Sequence, residues 1–317
     1  MREITINKND AKQRLDKFLN KSLPKMPLSL LQKSIRKGRV RINGKKTTDC
    51  RHILCLGDTL SLYINDEFFE KEPSKMDFLL AKNTLDIVYE DENILLLNKN
   101  AGLAVHDYDG GGVDTLINRV MRYLYEKKEY NAENENSFVP ALCNRIDRNT
   151  CGIVIAAKNA TALRIMNEQI KEHKVIKKYL CLCHGTPNPK EAELTLYLKK
   201  LEDKKISLVS DKKLPDYKTA TTYYKTLETK GGISLLEVTL KTGRTHQIRA
   251  CLSHIGCPLV GDGKYGRQSG EDSRLGFPYQ ALCSYYIGFD FKNAGELSYL
   301  DGKSFAVSDI WFKEKFK

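Results

Sequence analysis

The sequence predicts an α+β protein with a mixed, largely antiparallel sheet flanked by helices, preceded by a small N-terminal α/β domain. Apolar residues recur in turn with the periods of strands and of helices, and many of the predicted strands look antiparallel. A charged stretch at residues 66–75, which contains Pro73 and has no periodicity, divides the chain. We predict an N-terminal domain at residues 1–70, a linker at 71–83 and a large domain at 84–317.

Composition favours a soluble globular protein that binds a polyanion. The 317 residues are 41% hydrophobic and carry a net charge of +12. A core of good size can therefore form, and nucleic acid is favoured over membrane as the partner. A merely solvated basic surface remains the alternative.

The cysteines and the N-terminus indicate a reducing compartment. The nine cysteines are an odd number and include no Cys-x-x-Cys pair, which argues against a disulfide framework and against a zinc site. The N-terminus lacks the apolar run of a signal peptide, and no apolar stretch is long enough to span a membrane. We expect a cytoplasmic protein.

Four elements are predicted in the N-terminal domain. An amphipathic helix opens at residues 13–19, and a second begins at Ser29, whose hydroxyl can cap it, and ends at Gly38. A strand at 39–43 then enters a hairpin turn at Asn43 and Gly44, and the last strand occupies 57–64.

Basic residues are concentrated in this domain. No acidic residue lies between Asp16 and Asp49, whereas ten basic residues do. A solvated face would normally mix the two signs of charge, so we predict contact with phosphates. The ten are Lys17, Lys21, Lys25, Lys33, Arg36, Lys37, Arg39, Arg41, Lys45 and Lys46.

Helices and strands alternate in the large domain. Two strands at 85–99 are followed by the glycines 110–112, interpreted as a mobile loop, and by a helix at 115–125 capped by Asp114. Next come an exposed loop at 131–137 and a strand that ends at Lys158. A helix follows, with Leu163, Met166 and Ile170 on its buried face. Further strands are predicted at 177–183, 235–240 and 281–289. Thr245 is the predicted cap of one more helix, and the glycine-rich stretch 256–266 is predicted to line a site.

Asp147 is the candidate functional carboxylate. It lies in the stretch 144–152, between Arg145 and Arg148, just before an apolar strand. Neighbouring cations favour the charged form of a carboxylate, which suits nucleophilic attack and makes a poor acid. The alternative is a surface ion-pair cluster that holds a turn.

Motifs in both domains resemble known RNA-directed modules. Arg14-Leu15-Asp16, Ser29 and the stretch 38–44 resemble the S4 RNA-binding module over residues 13–64. Three segments of the large domain resemble the RluA-type family of RNA pseudouridine synthases. They are the stretch 144–152, Lys178-Tyr179 with Gly185, and the stretch 243–249 with Gly256-x-Pro258 and 261–266. The resemblance implies an enzyme that isomerises uridines of structured RNA to pseudouridine without cofactor or metal.

The resemblance also implies roles for individual residues. Asp147 would be the nucleophile and would attack either C6 of the base or C1′ of the ribose. Arg249 would be its ion-pair partner. Tyr179 would be a platform on which the base stacks, although a tyrosine in a strand can also be a core-packing residue. Leu282 is expected in the pocket wall. Further RNA contacts are expected from Arg145, Arg148, Thr150, Arg244, His246, Gln247, Arg36, Lys37, Arg39 and Arg41.

The expected substrate is 23S ribosomal RNA, with small-subunit and transfer RNA as alternatives, and the chain is expected to act as a monomer without an obligate protein partner. Asn144, Cys151, Asn100 and Cys283 depart from the family pattern, which has His, Ser, Pro and His there. An RNA-binding protein with an inactive synthase domain is therefore a second hypothesis. A carboxylate hydrolase would need a second acidic partner, and none is evident.

Overall fold

The computed structural model describes residues 1–69, 76–107, 112–266 and 271–316, without the side chains of 271 and 273. Within these residues the strands form two sheets, one in the N-terminal domain and one in the large domain. The α+β class predicted from sequence is confirmed.

The N-terminal domain is a four-stranded antiparallel sheet covered by two helices. Its elements are β1 (Arg2–Thr5), α1 (Leu15–Ser22), α2 (Leu28–Arg36), β2 (Val40–Ile42), β3 (Lys45–Lys46) and β4 (Thr59–Leu62), and the strand order is β1-β4-β2-β3. Leu15, Phe18 and Leu19 of α1 meet Leu31 and Ile35 of α2 in a core separate from that of the large domain. The two helices and the central strands follow the predicted pattern.

The predicted cap of α2 is wrong. The helix begins at Leu28 with Pro27 at its N-cap, and no side chain caps it. Because the proline ring fixes φ at a helix-compatible value, here −56°, the chain turns into the helix before it reaches Ser29. The hairpin turn is as predicted, with positive φ at Asn43 and Gly44.

The predicted linker is too long at its C-terminal side. Residues 70–75 lie outside the described residues, but Met76–Leu80 form a 3-10 helix. Phe78 of that helix is buried in the core of the large domain, against Tyr125 and Tyr130. This part of the predicted linker therefore belongs to the large domain.

The large domain is organised around one mixed sheet, eleven strands in the described residues. Its strands are β5 (Ile87–Glu90), β6 (Ile94–Lys99), β7 (Ala141–Leu142), β8 (Cys151–Ala157), β9 (Val175–His184), β10 (Glu191–Leu201), β11 (Ile206–Ser210), β12 (Lys218–Lys230), β13 (Ile233–Leu240), β14 (Leu282–Phe289) and β15 (Ser304–Ala306). The order is β11-β10-β12-β13-β9-β14-β8-β6-β5, with β15 on β14 and β7 on β8. Strands β14 and β8 are parallel, and the other described pairs are antiparallel.

Strand β8 lies between β14 and β6 in this sheet, and all seven of its residues are buried. Val154 points to a core on one face and Ile155 to a core on the other, as the two-residue period of a strand requires. At Gly152, φ is +106° and an added Cβ would lie 2.3 Å from the Ser284 carbonyl oxygen, so only glycine allows β14 to approach here.

Helices cover both faces of the large sheet. They are α3 (Leu116–Glu126), α4 (Ala160–Lys171), α5 (Gln247–His254), α6 (Glu271–Arg274) and α7 (Lys313–Phe316), with one more 3-10 turn at Gly295–Leu300. Helix α3 packs on the face that holds Val154, and α4 packs on the opposite face. None of the helices in the described ranges has the length and apolar composition of a membrane span.

The predicted cap of α3 is also wrong. The hydroxyl of Thr115 accepts the hydrogen bond from the backbone N–H of Asn118, so Thr115 is the N-cap. Asp114, one residue earlier, binds Arg119 through two hydrogen bonds of 2.7 Å. The guanidinium competes for the carboxylate that sequence reasoning assigned to the cap.

The loop 131–137 is not simply exposed, because half of it joins the two domains. Glu133 and Asn134 face solvent, but Asn136 Nδ2 donates to Asp10 Oδ2 at 2.7 Å and Ser137 Oγ donates to Asp10 Oδ1 at 2.7 Å. Asp10 is fully buried between the domains. The loop thus fixes the N-terminal domain against the large one, a contact with no local signal in the sequence.

Candidate active site

Asp147 lies in the loop between β7 and β8, and backbone contacts fix that loop. The N–H of Thr150 donates to the Asp147 carbonyl at 3.0 Å, and the N–H of Gly102 donates to the Arg148 carbonyl at 3.0 Å. Arg148 Nε returns a bond of 2.9 Å to the Gly102 carbonyl, so its guanidinium is held by the backbone turn rather than by Asp147. The Asp147 side chain is 28% exposed and open to a ligand.

Lys99 holds this loop in place by a hydrogen bond to the Arg148 carbonyl, although sequence reasoning assigned Lys99 no role. It is 1% exposed, and Nζ donates to the carbonyls of Asn100, Leu103 and Arg148 at 2.8–2.9 Å. Burial lowers the pKa of Lys99 to about 7, and its three hydrogen bonds to carbonyl groups match the three donors of an ammonium group. Lys99 ties together the two loops that carry Gly102 and Asp147.

Arg249 projects from the first turn of α5 and is shared by two carboxylates. Nε and Nη2 form a fork on Asp262, at 2.7 and 2.8 Å, and Nη1 donates to Asp147 Oδ2 at 2.7 Å. The Arg249 side chain is 6% exposed, and that of Asp262 is fully buried. A bidentate pair of this kind fixes orientation as well as charge.

The charges of this pair reinforce each other. Burial acts to raise the pKa of Asp262, but Arg249 and the backbone N–H groups of Lys264 and Tyr265 outweigh it and leave that pKa below its usual value. Burial likewise acts to lower the pKa of Arg249, and the two carboxylates raise it above its usual value. Arg249 is therefore a fixed cation that faces Asp147.

His246 lies on the other side of Asp147 and is neutral at pH 7. Its Nε2 is 3.9 Å from Asp147 Oδ2, and its Nδ1 is 3.0 Å from the Tyr265 hydroxyl. Burial lowers the pKa of His246 to about 4, and the nearby Arg249 adds to the decrease while Asp147 opposes it. The 3.9 Å contact is therefore not an ion pair at neutral pH.

The predicted N-cap of α5, Thr245, is wrong. His246 precedes the helix with φ +54°, in the left-handed region, and no side chain caps the helix. The amide oxygen of Gln247 instead accepts from the N–H of Arg244 at 3.0 Å. This tight entry brings Arg249 towards Asp147.

Tyr179 of β9 and Leu282 of β14 lie in the apolar core next to the carboxylate. Tyr179 is 6% exposed and Leu282 4%. Burial raises the pKa of Tyr179 to about 12, and the negative charge of Asp147 acts in the same direction, as expected for neighbouring groups. Asp147, Arg249 and Tyr179 thus meet as the resemblance implies.

Several of the residues expected to contact RNA are exposed, whereas others are buried. Arg145, Arg148 and Arg244 are exposed. Thr150 and Gln247 are each 2% exposed, and their side chains bond to neighbours inside the protein, Thr150 to Gln280 and Gln247 to Thr222. The sequence-based assignment of Thr150 and Gln247 to RNA contact is therefore not supported by their positions.

On the N-terminal domain, Arg36, Lys37 and Arg39 are exposed at the end of α2 and after it. Arg41 is half-buried, and its guanidinium lies over the ring of Tyr63, 5.0 Å from the centroid. These residues lie in the N-terminal domain, whereas Asp147 lies in the large domain.

Three of the four departures from the family pattern, Asn144, Cys151 and Cys283, are buried here. Asn144 Oδ1 accepts from the N–H of Ile155 at 2.7 Å and so holds the Asp147 loop to β8. Cys151 and Cys283 are 7% and 1% exposed and face each other across the parallel pair β8 and β14. Asn100 contributes its carbonyl to Lys99.

Sequence reasoning missed Asp262, Lys99 and Tyr265 as parts of the site. The ring of Tyr265 lies against the guanidinium of Arg249, with its centroid 5.2 Å from Cζ. Asp262 and Tyr265 were inside the glycine-rich stretch expected to line a site, so a signal was present. A carboxylate three residues ahead of an aromatic-glycine pair does not, by itself, reveal which arginine it binds.

Comparison with known proteins identifies both regions. Residues 93–254 match the model of the RNA pseudouridylate synthase family, and residues 13–60 match the S4 domain. The chain is 30% identical to the uncharacterized RNA pseudouridine synthase YlyB of Bacillus subtilis, over 93% of this chain and 91% of that protein. It is 34% identical to the ribosomal large subunit pseudouridine synthase C of Buchnera aphidicola subsp. Schizaphis graminum, over 84% of this chain and 81% of that protein.

Solved structures agree with the fold. The human RNA pseudouridylate synthase domain containing 4 superimposes with a TM-score of 0.56 at 20% identity, over 73% of this chain and 90% of that one. The family match, the full-length relatives and the mostly antiparallel sheet all agree with the resemblance drawn from the motifs. The chain belongs to the RNA pseudouridine synthase family and is an enzyme that isomerises uridine in RNA, with an S4 domain at its N-terminus.

Proposed function

We propose that Asp147 is the catalytic nucleophile and that the target uridine lies in 23S ribosomal RNA. The observation that carries the first part is the shared guanidinium of Arg249, which bonds Asp147 at 2.7 Å while the fully buried Asp262 holds it by a fork. The second part is supported by the relatives named ribosomal large subunit pseudouridine synthase C, which are 34% identical to this chain.

The reaction needs a nucleophile and a closed pocket rather than a redox group. Isomerisation breaks the N1–C1′ bond, turns the base and forms a C5–C1′ bond, with a proton lost from C5 and one gained at N1. A carboxylate can form a covalent species with C6 of the base or with C1′ of the ribose.

Arg249 has the role of a positioning residue for Asp147. The ion pair with Arg249 selects one rotamer of the Asp147 carboxylate. Because Asp262 accepts from Nε and Nη2, the guanidinium is held in one orientation while Nη1 donates to Asp147. Neutral His246 does not compete with Arg249 for the carboxylate.

Tyr179 and Leu282 form the apolar side of the proposed pocket. An aromatic platform beneath an unstacked base is worth roughly 1–3 kcal/mol. Arg145, Arg148 and Arg244 are exposed and have the chemistry to hold the phosphates that flank a flipped nucleotide.

The test is pseudouridine formation on unmodified 23S ribosomal RNA made by transcription, with no added nucleotide or metal. The native protein should produce pseudouridine at a discrete position, and Asp147→Asn should reduce turnover on the order of a thousandfold or more without weakening RNA binding. Substantial turnover by Asp147→Asn would disprove the nucleophile. Modification of transfer RNA or small-subunit RNA instead of the 23S transcript would disprove the target while leaving the nucleophile intact.

A further inference from the structure

The segment 258–262 carries Asp262, the fully buried partner of Arg249. The first part of this segment is attached to the end of β9, where the N–H of His184 donates to the Pro258 carbonyl at 2.9 Å. Because Asp262 lies at the other end of the segment, the orientation of the Arg249 guanidinium depends on how that end is fixed.

Gly261, the residue before Asp262, is held tightly from two sides. Its φ is +74°, and an added Cβ would clash with the Tyr279 carbonyl oxygen, so the position requires glycine. Its N–H donates to Asp272 Oδ2 at 2.8 Å. The backbone at Gly261 is therefore enclosed by the chain at Tyr279 and by the side chain of Asp272.

The carboxylate of Asp272 is itself held by His184. His184 Nε2 lies 3.0 Å from Asp272 Oδ2, and Nε2 must donate because a carboxylate only accepts. The His184 side chain is 11% exposed and that of Asp272 13%, so water has little access to the contact. A single carboxylate oxygen thus joins Gly261 to the last residue of β9.

A short series of contacts leads from this oxygen to the proposed nucleophile. Asp262 follows Gly261 directly and accepts from Arg249 at 2.7 and 2.8 Å, and Arg249 Nη1 donates to Asp147 at 2.7 Å. Hydrogen bonds to charged groups at these distances are strong and directional. A shift of the backbone at Gly261 would therefore be transmitted to Asp147.

We propose that Asp272 and His184 are positioning residues for the isomerisation, which act by fixing the backbone at Gly261. By fixing Gly261 they set the direction of the Asp262 carboxylate and, through it, of the guanidinium that faces Asp147. The inference rests on the proposed function in that Asp147 is the group whose position matters.

The first experiment measures single-turnover pseudouridine formation in total RNA from cells that lack this protein, so the target uridine is present whichever RNA contains it. Misplacement of a reacting group by about 1 Å can lower a rate on the order of a hundredfold, so Asp272→Ala should lower the rate constant at saturating enzyme about tenfold or more. The half-saturating enzyme concentration should stay within about twofold of native, because RNA binding is retained.

The conservative variant Asp272→Asn should recover most of the rate, since its amide oxygen can still accept from the Gly261 N–H. A native rate constant for Asp272→Ala, or a loss confined to the half-saturating concentration, would overturn the proposal.

Asp211→Ala is the matched control. Asp211 also lies 3.0 Å from a histidine nitrogen, Nε2 of His254, but its side chain is 76% exposed. The rate constant of this variant should stay within about twofold of native, as expected for an exposed pair. Equal losses in Asp272→Ala and Asp211→Ala would count decisively against a positioning role.

A double-mutant cycle distinguishes positioning from a general loss of stability. Residues that act through one network are not additive, so Asp272→Ala should lower the rate less than about threefold when it is introduced into Asp262→Asn. The same tenfold loss in both backgrounds would show that Asp272 does not act through Asp262 and would overturn the proposal.

A final measurement uses the native protein without RNA. The amide hydrogen of Gly261 should exchange with solvent more than about a hundredfold more slowly than in an unstructured chain, and severalfold faster in Asp272→Ala than in native protein. Exchange at the unstructured rate in the native protein would refute the contact. Full turnover by Asp147→Asn would disprove the nucleophile instead, and would leave the exchange at Gly261 and the rates of the Asp272 variants unaffected.

Discussion

Arg249 in the large domain and Arg36 in the N-terminal domain show two opposite uses of the same side chain. Arg249 is 6% exposed, and its Nε, Nη1 and Nη2 all donate to carboxylates, whereas Arg36 is exposed at the end of α2 among other basic residues. A buried bidentate pair is little screened by salt, and an exposed charge is strongly screened. We propose that the charge of Arg249 sets the geometry of the active site, whereas the exposed charge of Arg36 contributes to affinity for RNA.

The largest effect that would test this comparison is expected from Asp262→Asn. Arg249 would lose the charge of its buried partner, and breaking such a pair costs about 3–5 kcal/mol. Arg249 would then hold Asp147 less firmly in its position. We therefore expect kcat to fall about a hundredfold or more with little change in KM. Thermal unfolding and steady-state kinetics on the same preparation measure both quantities.

Asp114→Asn is the matched control for that substitution. Asp114 also forms two hydrogen bonds with one arginine, Arg119, but its side chain is 36% exposed and lies at the start of α3. The expected loss of stability is about 1 kcal/mol or less, without effect on kcat. If both variants lost activity equally, general destabilisation rather than the Arg249 contact would explain the result.

The second prediction concerns His246 and pH. The folded-state pKa of about 4 lies below the usual 6.5, so between these values the unfolded chain binds a proton that the folded protein does not. Stability is therefore highest above pH 6.5 and falls as the pH decreases to 4, by roughly 3 kcal/mol for this group.

Unfolding free energies measured across this window in native protein and in His246→Asn check the prediction. Asparagine tolerates the left-handed backbone that His246 adopts, so the variant removes the titration and keeps the turn. The pH dependence should be flatter in the variant. An NMR titration that shows the His246 ring charged at pH 6 would contradict it.

The sequence predicted the parts of the site that rest on local pattern and on family motifs. Asp147, Tyr179 and Arg249 were named in advance, and the structure brings them together. Asp262 was overlooked because its partner is 13 residues away, and the contact depends on the left-handed entry at His246. Long-range geometry of this kind leaves no periodic signal.

The N-terminal domain shows the same limit. Its helices and hairpin follow from apolar spacing and from an Asn-Gly turn, and they were predicted correctly. The hydrogen bonds from Asn136 and Ser137 to Asp10, which attach this domain to the large one, were not predicted. The sequence of loop 131–137 is polar and predicts an exposed loop when its partner is unknown. Polar residues that join domains are indistinguishable, in sequence, from polar residues that face water.

A third prediction tests the affinity side of the comparison. Arg36→Ala/Lys37→Ala should weaken binding to RNA and reduce the slope of log K against log salt by about 1.4–1.8, because two phosphate contacts are lost. Both side chains are exposed, so thermal stability should stay within about 0.5 kcal/mol of native. Filter binding at four or more salt concentrations gives the slope.

The charge-retaining variant Arg36→Lys/Lys37→Arg is the control for that experiment. It should keep the native slope, since point charges on phosphates are largely interchangeable when no base is read. A slope that changes in this variant would mean that the two residues make directional contacts and would break the contrast with Arg249.

The smallest expected effect compares one hydroxyl from each domain. Thr115 is 2% exposed and caps α3 by accepting from the N–H of Asn118, whereas Ser29 is exposed inside the first turn of α2 and caps nothing. Thr115→Ala should lower the free energy of unfolding by about 1 kcal/mol, and Thr115→Ser should restore most of it. Ser29→Ala should change it by less than about 0.5 kcal/mol, because α2 already starts at Pro27. Denaturant unfolding of the three variants measures the differences. A Ser29→Ala loss as large as that of Thr115→Ala would show that the hydroxyl caps α2 after all, and that the N-terminal domain also depends on internal polar bonds.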